Sequence, residues 1–158
     1  MNDAEKQAIY AQLLANCQAL TAGETDEIAL MATLVCEIHQ ALPYSHWTGF
    51  YRVTEPRLLK VGPYQGGHGC LQISFDRGVC GKAANDKAVQ RVDDVNSLPY
   101  HIACSSSTLS EIVLPVLDDT GEVRAVLDLD SNDPAAFSAV DEQGLQALLA
   151  LLAPAFKH

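Results

Sequence analysis

Along this chain the spacing of apolar residues changes period twice, and that double switch restricts the fold more than any single motif. From Asp3 to about Leu20, residues Ala4, Ala8, Ala11, Leu14 and Ala15 recur at helical spacing, and Ala22-Gly23-Glu24 ends the run. A second helix follows, with Thr25 as its expected N-cap and Ile28, Met31, Leu34, Val35 and Ile38 on one face. The period then shortens. Residues 47–53 read as a strand, Glu55-Pro56 as a turn and 58–61 as a second strand. A loop carries Gly62, Pro63, Gly66, Gly67 and Gly69, and residues 70–75 read as a third strand. Gly78-Val79-Cys80-Gly81 opens a short helix that runs to about Asp86. A long loop through 99–107 leads to strands at 111–117 and 123–130, joined by a turn at 118–121 and expected to pair as an antiparallel hairpin. Helical spacing returns at the end, where Ser138 and Asp141 are placed as a capping box. Helices at both ends around a central antiparallel sheet give an α+β fold. No repeat or linker divides the chain, so residues 1–158 read as one domain.

Composition narrows the function. Lys and Arg total 10 against 20 Asp and Glu, a net charge of −10. Nucleic acid and anionic membrane both demand clustered cations, so neither is an expected partner. The N-terminal residues are polar and lack a secretion signal, and the longest apolar run, 147–156, is too short to span a bilayer. The expected location is the cytoplasm, where thiols stay reduced. Five cysteines, at 17, 36, 70, 80 and 104, are an odd number with no Cys-x-x-Cys pair, which is not a disulfide framework. They are the first place to look for chemistry.

Cys17 and Cys36 fall inside helices and read as small core residues. Cys104 does not. It sits in a serine-rich loop three residues after His101 and seven before Glu111, where a nearby base favours the nucleophilic thiolate. Cys80 stands where a helix begins. Free N–H groups there can lower a thiol pKa, or the residue can simply pack the turn that its glycines allow. Cys70 follows a Gly-rich loop, either able to swing toward another thiol or buried at the start of its strand. His68-Gly69-Cys70 and His101-Ile102-Ala103-Cys104 offer soft metal ligands, but the thiols lack the close pairing of structural zinc sites, so no metal is expected. In Val126-Leu127-Asp128-Leu129-Asp130 the strand period sets both carboxylates on one face. That face is either solvated or a pair able to grip an ammonium group. Glu111 opens an apolar strand, where desolvation would raise its pKa toward general-acid use. Trp47, the only tryptophan, is a core anchor or a ligand wall.

Six stretches, in order, closely resemble the free methionine-(R)-sulfoxide reductases, a family of stand-alone GAF-domain enzymes. They are Trp47-Thr48-Gly49-Phe50-Tyr51, Gly62-Pro63-Tyr64-Gln65-Gly66, Arg77-Gly78-Val79-Cys80-Gly81, His101-Ile102-Ala103-Cys104, Ser110-Glu111-Ile112-Val113-Leu114-Pro115 and Leu127-Asp128-Leu129-Asp130-Ser131. The likeness covers residues 23–158; the N-terminal helix, 1–22, matches only in character. It implies a GAF-like domain and thiol-dependent reduction of free methionine-(R)-sulfoxide. It implies Cys104 as nucleophile, Cys70 as resolving thiol and Cys80 as an auxiliary thiol. Glu111 becomes the acid or oxygen stabiliser, with Asp128 and Asp130 beside it in the substrate pocket and Trp47 and Tyr51 as the aromatic wall. It further implies recycling of a Cys104 disulfide by a thioredoxin-type dithiol, no bound cofactor, and a homodimer. A ligand-sensing GAF module without catalysis, or a redox switch, is the competing reading.

Overall fold

The computed structural model of the protein describes residues 1–100, 104 and 106–157. Two helices, α1 (Asp3–Thr21) and α2 (Glu27–Ala41), precede the strands β1 (Trp47–Glu55) and β2 (Leu58–Gln65). Then come β3 (Gln72–Ser74), α3 (Gly78–Asp86), β4 (Gln90–Val92), β5 (Ser110–Leu117) and β6 (Val123–Ser131). The last helix, α4 (Ala139–Leu149), continues into a 3-10 segment, Ala150–Phe156. All six strands form one antiparallel sheet in the order β3-β2-β1-β6-β5-β4. The α+β expectation holds, and no helix among the described residues is long and apolar enough to cross a membrane.

Strand alternation divides the sheet into two working faces. On one, Phe50, Ile112, Leu114, Leu127 and Leu129 pack beneath α1, α2 and α4 through Leu34, Ile38, Leu145 and Leu148. On the other, Tyr51, Leu59, Val113 and Val126 meet Val79, Ala83 and Ala84 of α3. The first core is the larger. The second face is the one that opens into a pocket.

Several boundaries moved. The N-cap of α2 is Asp26, not Thr25; its carboxylate accepts from the Ala29 amide at 2.9 Å. β2 runs past residue 61 to Gln65, through Gly62 and Pro63. Pro63 is tolerated because it sits at a bulge, between the register pairs Gly49↔Tyr64 and Tyr51↔Val61. β3 is only three residues long, so Cys70 lies outside it in the loop rather than buried at the start of a strand. β4 and a 3-10 turn, Val95–Ser97, occupy a stretch without readable periodicity. The 118–121 hairpin and the Ser138 capping box formed as expected.

Asp141 does more than cap α4. Its carboxylate accepts from the Ser138 amide (2.7 Å), the Tyr10 hydroxyl (2.7 Å), the Tyr44 hydroxyl and the Lys6 ammonium. Lys6 is 5% exposed and Asp141 is fully buried, so the ion pair ties the first helix to the last inside the protein. Burial pushes the Asp141 pKa up, but these donors outweigh it and hold the carboxyl below its ordinary value.

Candidate active site

Register turns three separate acids into one cluster. Glu111 of β5 lies directly across from Asp130 of β6, and Asp130 in turn faces Trp47 of β1. One row on, Asp128 faces Gly49 on β1. Directly opposed residues in an antiparallel sheet project to the same face about 5 Å apart. Three carboxylates and an indole therefore converge where the sheet face leaves the second core.

The aromatic wall follows from the same rows. A side chain at Gly49 would meet the Trp47 ring and the Tyr64 Cβ at 2.5 Å, so glycine there lets the indole lie across the strand. Trp47 stacks between Tyr51 (ring centroids 5.8 Å) and Tyr64 (5.3 Å). Its indole N–H donates to the Gly67 carbonyl at 2.8 Å, which pins the loop carrying Cys70 to the wall. Opposite, α3 starts tight against β3: a Cβ on Gly81 would lie 2.5 Å from the Ser74 carbonyl oxygen. That approach brings Cys80 into the pocket with Trp47, Tyr51, Glu111, Asp128 and Asp130.

Cys104 lines the same pocket and is joined to Cys70 by a disulfide, with Cα atoms 5.5 Å apart and 34 residues between them in sequence. Cys17, Cys36 and Cys80 are free thiols. Cys17 is buried in the large core, as its helical position suggests. His101, the expected neighbour of Cys104, lies outside the described residues with Ile102, Ala103 and Ser105. His68 and Thr108 also line the pocket. In the sequence His68 reads as a soft metal ligand, and no motif or spacing singles out Thr108.

The solvated-face reading of Asp128 and Asp130 fails. Asp128 is 4% exposed and Glu111 6%. Oδ1 of Asp128 and Oδ1 of Asp130 are sealed from solvent without a hydrogen-bond partner among the described residues. Burial, then repulsion from a neighbouring carboxylate, holds all three acids well above the usual carboxylate range. Burial and the same acids raise the Cys80 thiol too, so the helix start does not activate it. An acidic cluster with unanswered oxygens calls for a cationic ligand or shared protons. No lysine or arginine among the described residues lines the pocket to supply the charge.

Known proteins share this arrangement's fold and sequence. The GAF domain family matches residues 24–157. A protein named free methionine-R-sulfoxide reductase from Escherichia coli is 40% identical over 147 residues, spanning 93% of this chain and 88% of that one. Its namesake from Saccharomyces cerevisiae is 37% identical over 153 residues, covering 93% and 85%. The X-ray structure of free methionine-R-sulfoxide reductase from Neisseria meningitidis in complex with its substrate superposes with a TM-score of 0.90. That protein is 39% identical, over 96% of this chain and 90% of its own. The chain belongs to the GAF-domain family, in its free methionine-R-sulfoxide reductase branch.

Proposed function

We propose that this protein is an oxidoreductase that reduces free methionine-(R)-sulfoxide to methionine, using Cys104 and Cys70 as a redox pair. One observation carries the reading: the Cys70–Cys104 disulfide borders a pocket with an aromatic wall and a desolvated acid cluster. A sensor pocket has no need of that disulfide.

In this reading the Cys104 thiolate attacks the sulfoxide sulfur while a proton reaches the oxygen, since an unprotonated sulfoxide oxygen is a poor leaving group. Glu111, whose carboxyl burial pushes well above the ordinary carboxylate range, is the donor or the oxygen stabiliser. Oxygen passes from the substrate sulfur to the Cys104 sulfur as the new S–S bond breaks, which releases methionine and leaves Cys104 as a sulfenic acid. Cys70 condenses with it, forming the disulfide and releasing water. An external dithiol of thioredoxin type reopens the disulfide by exchange. No resident metal or organic cofactor enters these steps, and the reduced thiols they need suit a cytoplasmic setting. Asp128 and Asp130 take the α-ammonium, which a peptide-bound methionine lacks. Trp47 and Tyr51 pack the side chain, and Cys80 serves as an auxiliary thiol. The homodimer implied by the resemblance predicts a particle of twice the chain mass in solution, and a particle of one chain mass contradicts it.

Methionine release from the separated epimers tests the function, with a thioredoxin system supplied and a peptide-bound sulfoxide run in parallel. Turnover of the free R epimer alone is expected. Turnover of the peptide, or of neither epimer with thiols confirmed reduced, contradicts it.

Two further outcomes follow from the acid cluster. Asp128→Asn removes a charge-assisted contact of roughly 1.5–3 kcal/mol, so KM is expected to rise about 10- to 100-fold with a smaller change in kcat. An unchanged KM removes Asp128 from ammonium binding. The ammonium also needs ionised partners, and the raised carboxyls are protonated where ordinary ones are not. KM should therefore fall as pH rises, through a midpoint above the ordinary carboxylate value of about 4. Asp130→Asn, which removes one like charge, should move that midpoint down. A wild-type midpoint at or below about 4 contradicts the assignment.

A further inference from the structure

We propose that Cys80, Glu111 and Asp128 form a divalent-metal site of zinc class at the floor of this pocket, where an ion and a substrate ammonium exclude each other. Each residue offers one ligand atom, and the three atoms lie within 4.8 Å of one another, all on buried side chains. Tetrahedral zinc, with bonds of about 2.3 Å to sulfur and 2.0–2.2 Å to oxygen, sets its donors roughly 3.5 Å apart. Small side-chain rotations suffice to close that gap.

The second observation is the unanswered oxygen. Asp128 is 4% exposed, lines the pocket, and leaves Oδ1 without a hydrogen-bond partner among the described residues. An ion bound there would coordinate this oxygen and displace to solvent the Cys80 thiol proton together with any proton that Glu111 and Asp128 carry. The donor set decides the class of ion. One thiolate with two carboxylates suits zinc or cobalt, whereas magnesium prefers oxygen ligands and retained water. The three come from β5, β6 and α3, so the register and the close start of that helix build the site together. Cys80 thereby gains a role outside the disulfide pair.

The metal site rests on the pocket's geometry; its antagonism with substrate rests also on the proposed function. Cobalt(II) tests both. Protein with the Cys70–Cys104 disulfide intact leaves Cys80 as the sole free thiol in the pocket. Titration should give one equivalent of bound cobalt, a thiolate-to-cobalt charge-transfer band and quenching of Trp47, the only tryptophan. Cys80→Ser should lose the band, and Asp128→Asn should weaken binding at least tenfold. Cys36→Ser, a change in α2 outside the pocket, should alter neither. Absence of the band in the wild type, its persistence in Cys80→Ser, or undiminished binding by Asp128→Asn overturns the site. In a Cys70→Ser/Cys104→Ser protein, free methionine-(R)-sulfoxide should then displace the cobalt. Cobalt that binds but resists displacement overturns the exclusion and the ammonium assignment while leaving the metal site standing.

Discussion

Cys104→Ser is expected to abolish methionine release, the first turnover included. A serine hydroxyl in place of the thiol cannot be ionised at neutral pH and cannot store the oxygen as a sulfenic acid. Cys70→Ser should behave differently. It keeps the nucleophile and the pocket but loses the bond partner that the structure gives Cys104. About one methionine per chain should appear in a burst, followed by a stall until a small external thiol is added. Rapid-quench measurements with one to ten equivalents of substrate separate the two. Full activity in Cys104→Ser, or an unchanged steady state in Cys70→Ser with a thioredoxin system, contradicts the division of roles. Cys17→Ser is no useful control, because that thiol is fully buried in the large core.

The second large effect is on stability. Asp141→Ala should cost roughly 3–5 kcal/mol, since it strands the Lys6 ammonium, the buried Tyr10 hydroxyl and the half-buried Tyr44 hydroxyl. Urea unfolding, compared at equal slopes, reads that loss. The pH dependence has a definite sign. The Asp141 pKa is depressed in the folded state, so its contribution is complete above the ordinary carboxylate value and is lost as pH falls through the folded value. The variant should accordingly shed part of the acid sensitivity of the wild type. A loss below about 1 kcal/mol, or an unaltered acid limb, would show that the network does not hold α1 to α4.

Asp141 also marks how far the sequence could be read. Its capping-box spacing with Ser138 was legible, because that relation is local. Its partners Lys6, Tyr10 and Tyr44 lie 97 to 135 residues away, and nothing in the spacing joins them. The site divides along the same line. Strand period alone set Asp128 and Asp130 on one face. Whether that face was wet or buried depended on α3 and on the register that places Glu111 opposite Asp130. Of the two readings of Cys80, activation at a helix start or packing of the turn, the second holds: the thiol is buried in the second core, and burial among carboxylates raises it. Pro63 misled for a similar reason, since a proline reads as a strand end unless the bulge that accepts it is known. Residues 90–97 were unreadable because a three-residue strand and a single 3-10 turn carry too few positions to show a period. The resemblance supplied what local patterns could not, namely which thiols to pair.

The central claim is that Cys104 and Cys70 together reduce one free methionine-(R)-sulfoxide per cycle. The most direct measurement gives fully reduced protein one equivalent of that substrate, with no other reductant present, and maps the thiols by peptide mass. The account predicts one methionine released per chain, a loss of two hydrogens from the intact protein and a single Cys70–Cys104 cross-link, with Cys80 still free. Methionine formed with those two cysteines still reduced, or a cross-link through Cys80 instead, would contradict it.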